Sequence, residues 1–227
     1  MPRQRRSDGQ GVGQPRQGVE NEERWNEILR AAAEEFYERG FRAARLQDIA
    51  ARVQLQAGSL YYYIDSKEDL LFALVQTTHQ LGLKTAEEDA ETRAMDAPGR
   101  LAAFMQREMQ LMHDLQARSG AVQRDLALLA PEQRAQIVEM RDYLHHFVRG
   151  ILQQGIDEGH FDPSIDVSIA ASTIFGRLNK TPEWAQKNGR LSWTEIGDFY
   201  TRLITRGLAA PPTSGPRGRR PPDSVEK

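Results

Sequence analysis

The sequence predicts an all-α protein of about nine helices, with a small three-helix unit ahead of a larger helical domain. Three observations carry that prediction. Apolar residues recur at helical spacing from Trp25 to Leu208. No stretch shows the clear period-2 alternation of a strand. Glycine and proline mark starts and stops of the periodic segments at Gly40, Pro98, Pro131, Gly159, Pro163 and Pro182.

Residues 1–20 are rich in Gly, Gln and Arg, carry almost nothing to bury, and are expected to form a disordered basic arm. The first helix begins near Asn21 as N-cap, with Glu22 and Glu23 in its first turn. Trp25, Ile28, Leu29, Ala32, Ala33, Phe36 and Tyr37 form its apolar face. Gly40 ends it, and Phe41 folds back on the last turn. A short second helix holds Leu46, Ile49, Ala50 and Val53. A turn at Gln54-Leu55 leads to a third helix from Gln56 to Tyr63. Ser66-Lys67-Glu68-Asp69 has the pattern of a capping box and opens a fourth helix, with Leu70, Leu71, Leu74, Val75, Thr78 and Leu81 on one face toward Thr85.

Pro98 opens a helix bearing Leu101, Phe104, Met105, Met109, Met112 and Leu115, and another covers Val122 to Leu129. Pro131 starts a long helix through Ile137, Met140, Tyr143, Leu144, Phe147, Ile151 and Ile156, closed at Gly159. Asp162-Pro163-Ser164 introduces a helix from Ile165 to about Lys180. Breaks at Thr181-Pro182 and Lys187-Asn188-Gly189 precede the last one, Ser192 to Leu208. The tail from Ala209 is rich in Pro, Gly and Arg and is expected to be disordered. The expected division is thus 1–20 arm, 21–66 first domain, 67–208 second domain and 209–227 tail.

Composition narrows the function. A chain of 227 residues with 39% apolar and 27% charged residues is ordinary for a globular protein. Without cysteine, disulfides, thiol catalysis and cysteine-ligated zinc are excluded. The five histidines (His79, His113, His145, His146, His160) are too scattered to suggest a metal site. No apolar run approaches the ~18 residues of a membrane span. The basic start has no apolar segment after it, so a cytoplasmic location is expected. No Ser/His/Asp set, glycine-rich phosphate loop or HExxH suggests an enzyme, and no cofactor is implied.

The segment from Asp48 to Leu70 packs two short helices, a tight turn and a third helix start into about two dozen residues, the form of a helix-turn-helix reader of the DNA major groove. Net charge is −2, yet from Arg39 to Lys67 five basic residues (Arg39, Arg42, Arg45, Arg52, Lys67) face two acidic ones (Asp48, Asp65), a local +3. Local charge is what phosphates meet within a Debye length of about 8–10 Å. Tyr61, Tyr62 and Tyr63 are each turned about 100° from the next, so they cannot share one face and at least one is exposed.

Gly40-Phe41, Asp48-Ile49-Ala50, Leu55, Gly58-Ser59-Leu60-Tyr61, Tyr63 and Ser66-Lys67-Glu68-Asp69-Leu70, in this order and spacing, resemble the TetR family of bacterial transcriptional regulators. The resemblance covers roughly Asn21 to Leu74; downstream it is architectural. It implies that Ala57, Ser59, Tyr61 and Tyr62 face base edges of double-stranded DNA, and that Tyr63 and Lys67 face phosphates. It also implies that Leu46, Ile49, Ala50, Leu55 and Leu60 lock the helices together. Three positions depart from the family pattern. Ala44-Arg45 stand where Thr or Ser usually opens the second helix, and Arg45 supplies phosphate contact by charge. Gln54 stands where the turn commonly holds Gly, and a left-handed residue there costs about 1–2 kcal/mol. Gln56 opens the third helix, a poorer cap than Ser or Thr.

In the larger domain, Met105, Met109 and Met112 with Phe104 and His113, and Met140 with Tyr143 and Phe147, offer an adaptable apolar lining; plain core packing explains the same stripe. The resemblance implies a small-molecule effector pocket among these helices. Gln154 to Phe161 and Gly189 to Ser192 resemble the subgroup controlling fatty-acid, sterol or aromatic-acid breakdown through acyl-CoA ligands. Arg141, Arg149 and Arg177 are candidates to meet a CoA phosphate. Small residues Ala170, Ala171, Ser172 and Gly176 beside Ile169 and Thr173 permit close helix approach, and Phe199, Leu203 and Ile204 lie on the last helix. In the family these two final helices pair with their mates, which implies a homodimer on a palindromic operator and a ligand-released repressor. Moving such a switch from 1:99 to 99:1 requires about 5.5 kcal/mol of differential affinity. A DNA-binding protein that senses nothing is the alternative.

Overall fold

A computed structural model of the protein describes residues 19–87, 92–116, 125–185 and 189–211. Among these residues there are eight α-helices, one 3-10 turn and no strand. The helices are α1 (Val19–Arg39), α2 (Leu46–Arg52), α3 (Ala57–Leu60), α4 (Lys67–Glu87), α5 (Ala97–Asp114), α6 (Pro131–Asp157), α7 (Val167–Trp184) and α8 (Trp193–Leu208). The all-α expectation therefore holds.

Local chemistry explains the boundaries. Gly40, at φ +79°, ends α1 while its N–H donates to Phe36 O at 2.9 Å, and the Phe41 ring meets Phe36 edge-on. Ser66 caps α4: its Oγ accepts from Asp69 N–H at 3.1 Å and its hydroxyl donates to Asp69 Oδ2 at 2.7 Å. Asp96 caps α5 by accepting from Gly99 N–H. Ser192 and Glu195 form a reciprocal capping box on α8. The end of α6 is a Schellman turn, with Gly159 at φ +76° and His160 N–H donating to Gly155 O.

Several expected bounds shift. The first helix starts at Val19, so Asn21 lies within it rather than capping it. The third helix is only Ala57–Leu60, after which Tyr62 and Tyr63 donate to the carbonyls three residues back. Between Val122 and Leu129 the described part is the 3-10 turn Leu126–Leu128; 122–124 lie outside the described residues. Helix α7 runs through the expected break at Pro182. Thr181 is fully buried there, its hydroxyl donates to Arg177 O at 2.9 Å, and Ala185 N–H reaches Thr181 O. The tail does not begin at Ala209: that residue bridges Phe161, while Ala210 N–H donates to His160 O. The basic arm up to residue 18 and the tail from 212 lie outside the described residues.

Two apolar clusters form the core. The first joins Trp25 to Phe36 of α1, Ile49 and Ala50 of α2, Leu60 of α3, and Leu70 to Val75 of α4, with Leu129 and Ile137 beneath. The second is built on Leu101 to Met112 of α5, Leu144 to Leu152 of α6, Ala171 to Leu178 of α7, and Trp193 and Ile196 of α8. Helix α4 passes from one to the other, so the change of core falls inside α4 rather than at its start.

Candidate DNA-reading head and effector cavity

The reading head is α2, its turn and α3. The turn is a Schellman motif in which Gln54 N–H donates to Ala51 O at 3.1 Å and Leu55 N–H to Ala50 O at 2.8 Å. Its left-handed residue is Gln54 at φ +56°, as expected from the missing glycine. Neither Arg45 before α2 nor Gln56 before α3 makes a side-chain cap. Leu60 is fully buried and pins α3 to the head core, which turns Gly58, Ser59, Tyr61 and Tyr62 outward and leaves Ala57 half-buried. Tyr61 and Tyr62 are 57% and 58% exposed. Tyr63 is the partly buried member, its ring stacked over Trp25 at 6.3 Å and met edge-on by Tyr62.

The cations of this region divide into two groups. Arg52 reaches Glu34, Glu35 and Glu38 of α1 at 3.2, 3.0 and 2.6 Å, and Arg39 pairs with Glu35 at 2.9 Å. Hydrogen bonding to Glu38 first of all holds Arg52 more firmly protonated. Lys67 turns inward: its Nζ donates to the carbonyls of Phe41, Arg42 and Ala44 at 2.8, 3.3 and 3.0 Å and lies 4.5 Å from the centre of the Phe41 ring. Three donors meet three acceptors, so Lys67 ties the α1–α2 connection to the start of α4. Arg42 and Arg45 remain exposed beside α2, and no hydrogen bond or ion pair among the described residues engages their side chains. The local +3 is thus largely consumed by the fold, leaving these two arginines to present charge outward.

The second feature is a partly open cavity of about 180 Å³ between α4, α5, α6 and α7. Its walls are Thr78, His79 and Gly82 of α4, Glu108, Leu111 and Met112 of α5, Arg141, Leu144 and His145 of α6, and Phe175 and Asn179 of α7. His79 is buried, its Nδ1 2.8 Å from Val75 O and its Nε2 accepting from Arg141 Nε at 3.2 Å. Burial above all lowers the pKa of His79, and burial lowers that of Arg141. His145 stacks on Phe175 at 4.4 Å, and burial first, then Arg149, lowers its pKa. Glu108 is 3% exposed, its Oε1 has no hydrogen-bond partner among the described residues, and burial pushes its carboxyl up to about 7.

Of the residues expected to line a pocket or meet its ligand, the cavity takes Met112 and Arg141. Met105 and Met109 are core. Phe147 packs against Phe104 at 5.7 Å, and His113 lies half-exposed against Trp193 at 5.4 Å. Met140 and Tyr143 face a surface depression with Leu83, Gln136 and Glu139. Arg177 is exposed on α7. The polar wall of His79 and Glu108 was not among the expected residues, although Glu108 interrupts the apolar face of α5 between Met105 and Met112.

Ile169, Phe199 and Leu203 are 67%, 52% and 58% exposed on α7 and α8. Thr173 and Gly176 are also exposed, and a side chain at Gly176 would meet nothing within 4 Å. Ile204 is half-buried against the second core. Among the described residues, no helix is long and apolar enough to cross a membrane.

Known proteins share both parts of this arrangement. Residues 28–74 match the family described as bacterial regulatory proteins, tetR family, and residues 94–208 match the tetracyclin repressor-like C-terminal domain. The chain is 25% identical over 186 residues to the fatty acid metabolism regulator protein of Bacillus subtilis (82% of this chain, 95% of that protein). It is 27% identical over 186 residues to the transcriptional repressor KstR2 of Mycobacterium tuberculosis (82% and 92%). Among solved structures, AibR in complex with isovaleryl coenzyme A and operator DNA superposes with a TM-score of 0.69 at 25% identity, covering 79% of this chain and 97% of that one. With both the reading head and the helical body matched over these residues, the chain belongs to the TetR family of bacterial transcriptional regulators, and it is not an enzyme.

Proposed function

We propose that the protein is a homodimeric repressor that reads a palindromic operator and is released from it by a small effector of the acyl-CoA type. The observation that carries this reading is α4. One continuous helix contributes Leu70 to Val75 to the head core and Thr78, His79 and Gly82 to the cavity wall, so a molecule in the cavity acts directly on the element that holds the head. Ser59, Tyr61 and Tyr62 supply the groove-facing contacts, with Gln56 and Ala57 at the start of α3. Arg45 and Arg42 supply phosphate charge. Tyr63 and Lys67 act at the phosphate edge, Lys67 through its charge while its donors hold the turn.

The apolar stripe Ile169, Phe199 and Leu203, with Thr173, Gly176 and Ile204, suits a two-fold pairing of α7 and α8. That pairing sets two α3 helices one DNA turn of about 34–36 Å, or a multiple, apart. AibR, bound to isovaleryl coenzyme A and operator DNA, lends the effector class its support. A cavity of about 180 Å³ is slightly larger than one that holds benzene, so it takes a short acyl group while the rest of a CoA lies outside. The test is fluorescence anisotropy with DNA from upstream of the protein's own gene, titrated with acyl-CoAs of two to ten carbons. Binding of a palindromic site and its release by short-chain members is the expected outcome; no DNA binding at low salt would end the repressor reading, and release by no acyl-CoA would end the effector class.

A further inference from the structure

The cavity holds a buried polar group that the fold itself leaves unused. Glu108 projects from α5 into a space whose apolar contributors include Leu111, Met112, Leu144 and Phe175, and its Oε1 is buried without a hydrogen-bond partner among the described residues. A carboxyl in that setting holds its proton up to about pH 7 when the cavity is empty, because ionising it would place an unpaired charge in low dielectric. As a neutral acid it is a hydrogen-bond donor with nothing to donate to. Structures rarely leave such a group without a reason, and a ligand acceptor is the simplest one.

The charged and titratable groups facing it are few. Helix α4 presents His79, and α6 presents Arg141 and His145; α7 presents only the uncharged Asn179. His79 and His145 are both driven toward their neutral forms by burial. Arg141 is the cation of the wall, which makes the cavity a poor host for a cationic ligand and a good one for an oxygen carrying lone pairs.

We propose that Glu108 is the effector-selecting residue of the cavity. As a neutral acid it donates its proton in a hydrogen bond to a carbonyl or carboxylate oxygen of a small molecule whose apolar body lies against Leu111, Met112, Leu144 and Phe175. No bond is made or broken; the proton stays on Glu108, and binding is therefore linked to proton uptake by this carboxyl. Since the group titrates at about 7 when the cavity is empty, affinity for such a ligand falls about tenfold per pH unit once that pH is passed. Ammonium ions, which offer donors and no acceptor, are refused. This inference rests on the cavity being the effector site.

The test uses four probes of matched size: cyclohexanone, cyclohexanecarboxylate, cyclohexylamine and methylcyclohexane. Binding to the full-length protein is measured by ligand-observed NMR between pH 6 and 8.5, on wild type and on Glu108→Gln. The expected result is binding of the ketone or the carboxylate in preference to the amine and the hydrocarbon, weakening roughly 20- to 30-fold from pH 6 to 8.5. The ketone and carboxylate arms distinguish which oxygen acceptor is taken. Glu108→Gln keeps a neutral donor, so it still binds the ketone but loses the pH dependence. A profile that persists unchanged in Glu108→Gln belongs to His79 or His145 and overturns the assignment, as does equal binding of all four probes. Wild-type pH dependence alone decides the matter if the variant does not fold: a flat profile for the ketone overturns it. Binding of none of the probes removes the cavity as a ligand site and this inference with it.

Discussion

Arg141 Nε donates to His79 Nε2 at 3.2 Å, joining α6 to α4 at the cavity wall. The other ring nitrogen lies 2.8 Å from Val75 O, so Nδ1 carries the proton and Nε2 is free to accept. The bond exists only for the neutral ring, in keeping with the burial that lowers the His79 pKa. A ligand that takes hold of Arg141 therefore pulls on the helix that carries the reading head. Arg141→Met is expected to leave the DNA affinity of the effector-free protein within about threefold and to weaken effector-driven release at least tenfold. Anisotropy titrations with and without effector measure both, and unchanged release would show that this contact carries no signal.

Glu108 gives stability a pH dependence whose sign follows from its raised pKa. Its contribution is fully present below the ordinary carboxyl range and is lost as pH rises through about 7. A shift of that size corresponds to about 3 kcal/mol. His79 works in the opposite direction: its neutral form suits the fold, so its contribution is lost as pH falls through and below the usual histidine range. Urea denaturation at pH 5 and pH 8 is expected to show Glu108→Gln gaining stability over wild type at the higher pH by up to that amount and little at the lower. Equal differences at both pH values would contradict it.

Lys67→Met removes the donor shared by three carbonyls of the α1–α2 connection. The expected loss is about 2–3 kcal/mol by chemical denaturation, since charge-assisted bonds are lost and buried acceptors stranded. Lys67→Arg does not restore it, because a planar guanidinium cannot point three donors at these oxygens. If Lys67 acted on DNA alone, the denaturation midpoint of Lys67→Met would match wild type.

Gln54→Gly relieves the left-handed backbone of the turn, with φ +56° at present held by a side-chain-bearing residue. Less strain, offset by the greater entropy of glycine in the unfolded chain, leaves a gain of about 0.5–1 kcal/mol. A higher midpoint in thermal unfolding checks it, and a lower one would mean that the Gln54 side chain contributes more than its backbone costs.

Features set by neighbours in sequence were legible in the sequence: Gly40 with Phe41, the Ser66–Asp69 cap, and the strained Gln54. Features set by distant partners were not. Lys67 sits at a helix start and looks like a phosphate ligand, yet its acceptors lie 23 to 26 residues away, around a turn whose path the sequence does not state. The methionine stripe shows the same limit. Met105, Met109 and Met112 share one face, and only the placement of α4 and α7 decides that the first two meet packed side chains while Met112 borders open space. Glu108 was readable in principle, as an acid at a position where helical spacing demands an apolar residue. Helix α7 passing Pro182 was not, because buried Thr181 and its bond to Arg177 sustain the turn.

The length of α4 has a mechanical consequence. From Gly82 at the cavity to Lys67 at the head is fifteen residues, a rigid arm of about 22 Å at 1.5 Å per residue. A tilt of about 10° at the cavity end swings the head by nearly 4 Å, and in the proposed dimer two arms tilting in opposite senses would change the span between recognition helices by nearly twice that, against a groove repeat of about 34 Å. Angular gain, rather than the size of any movement at the cavity, sets how small a molecule such a lever can obey.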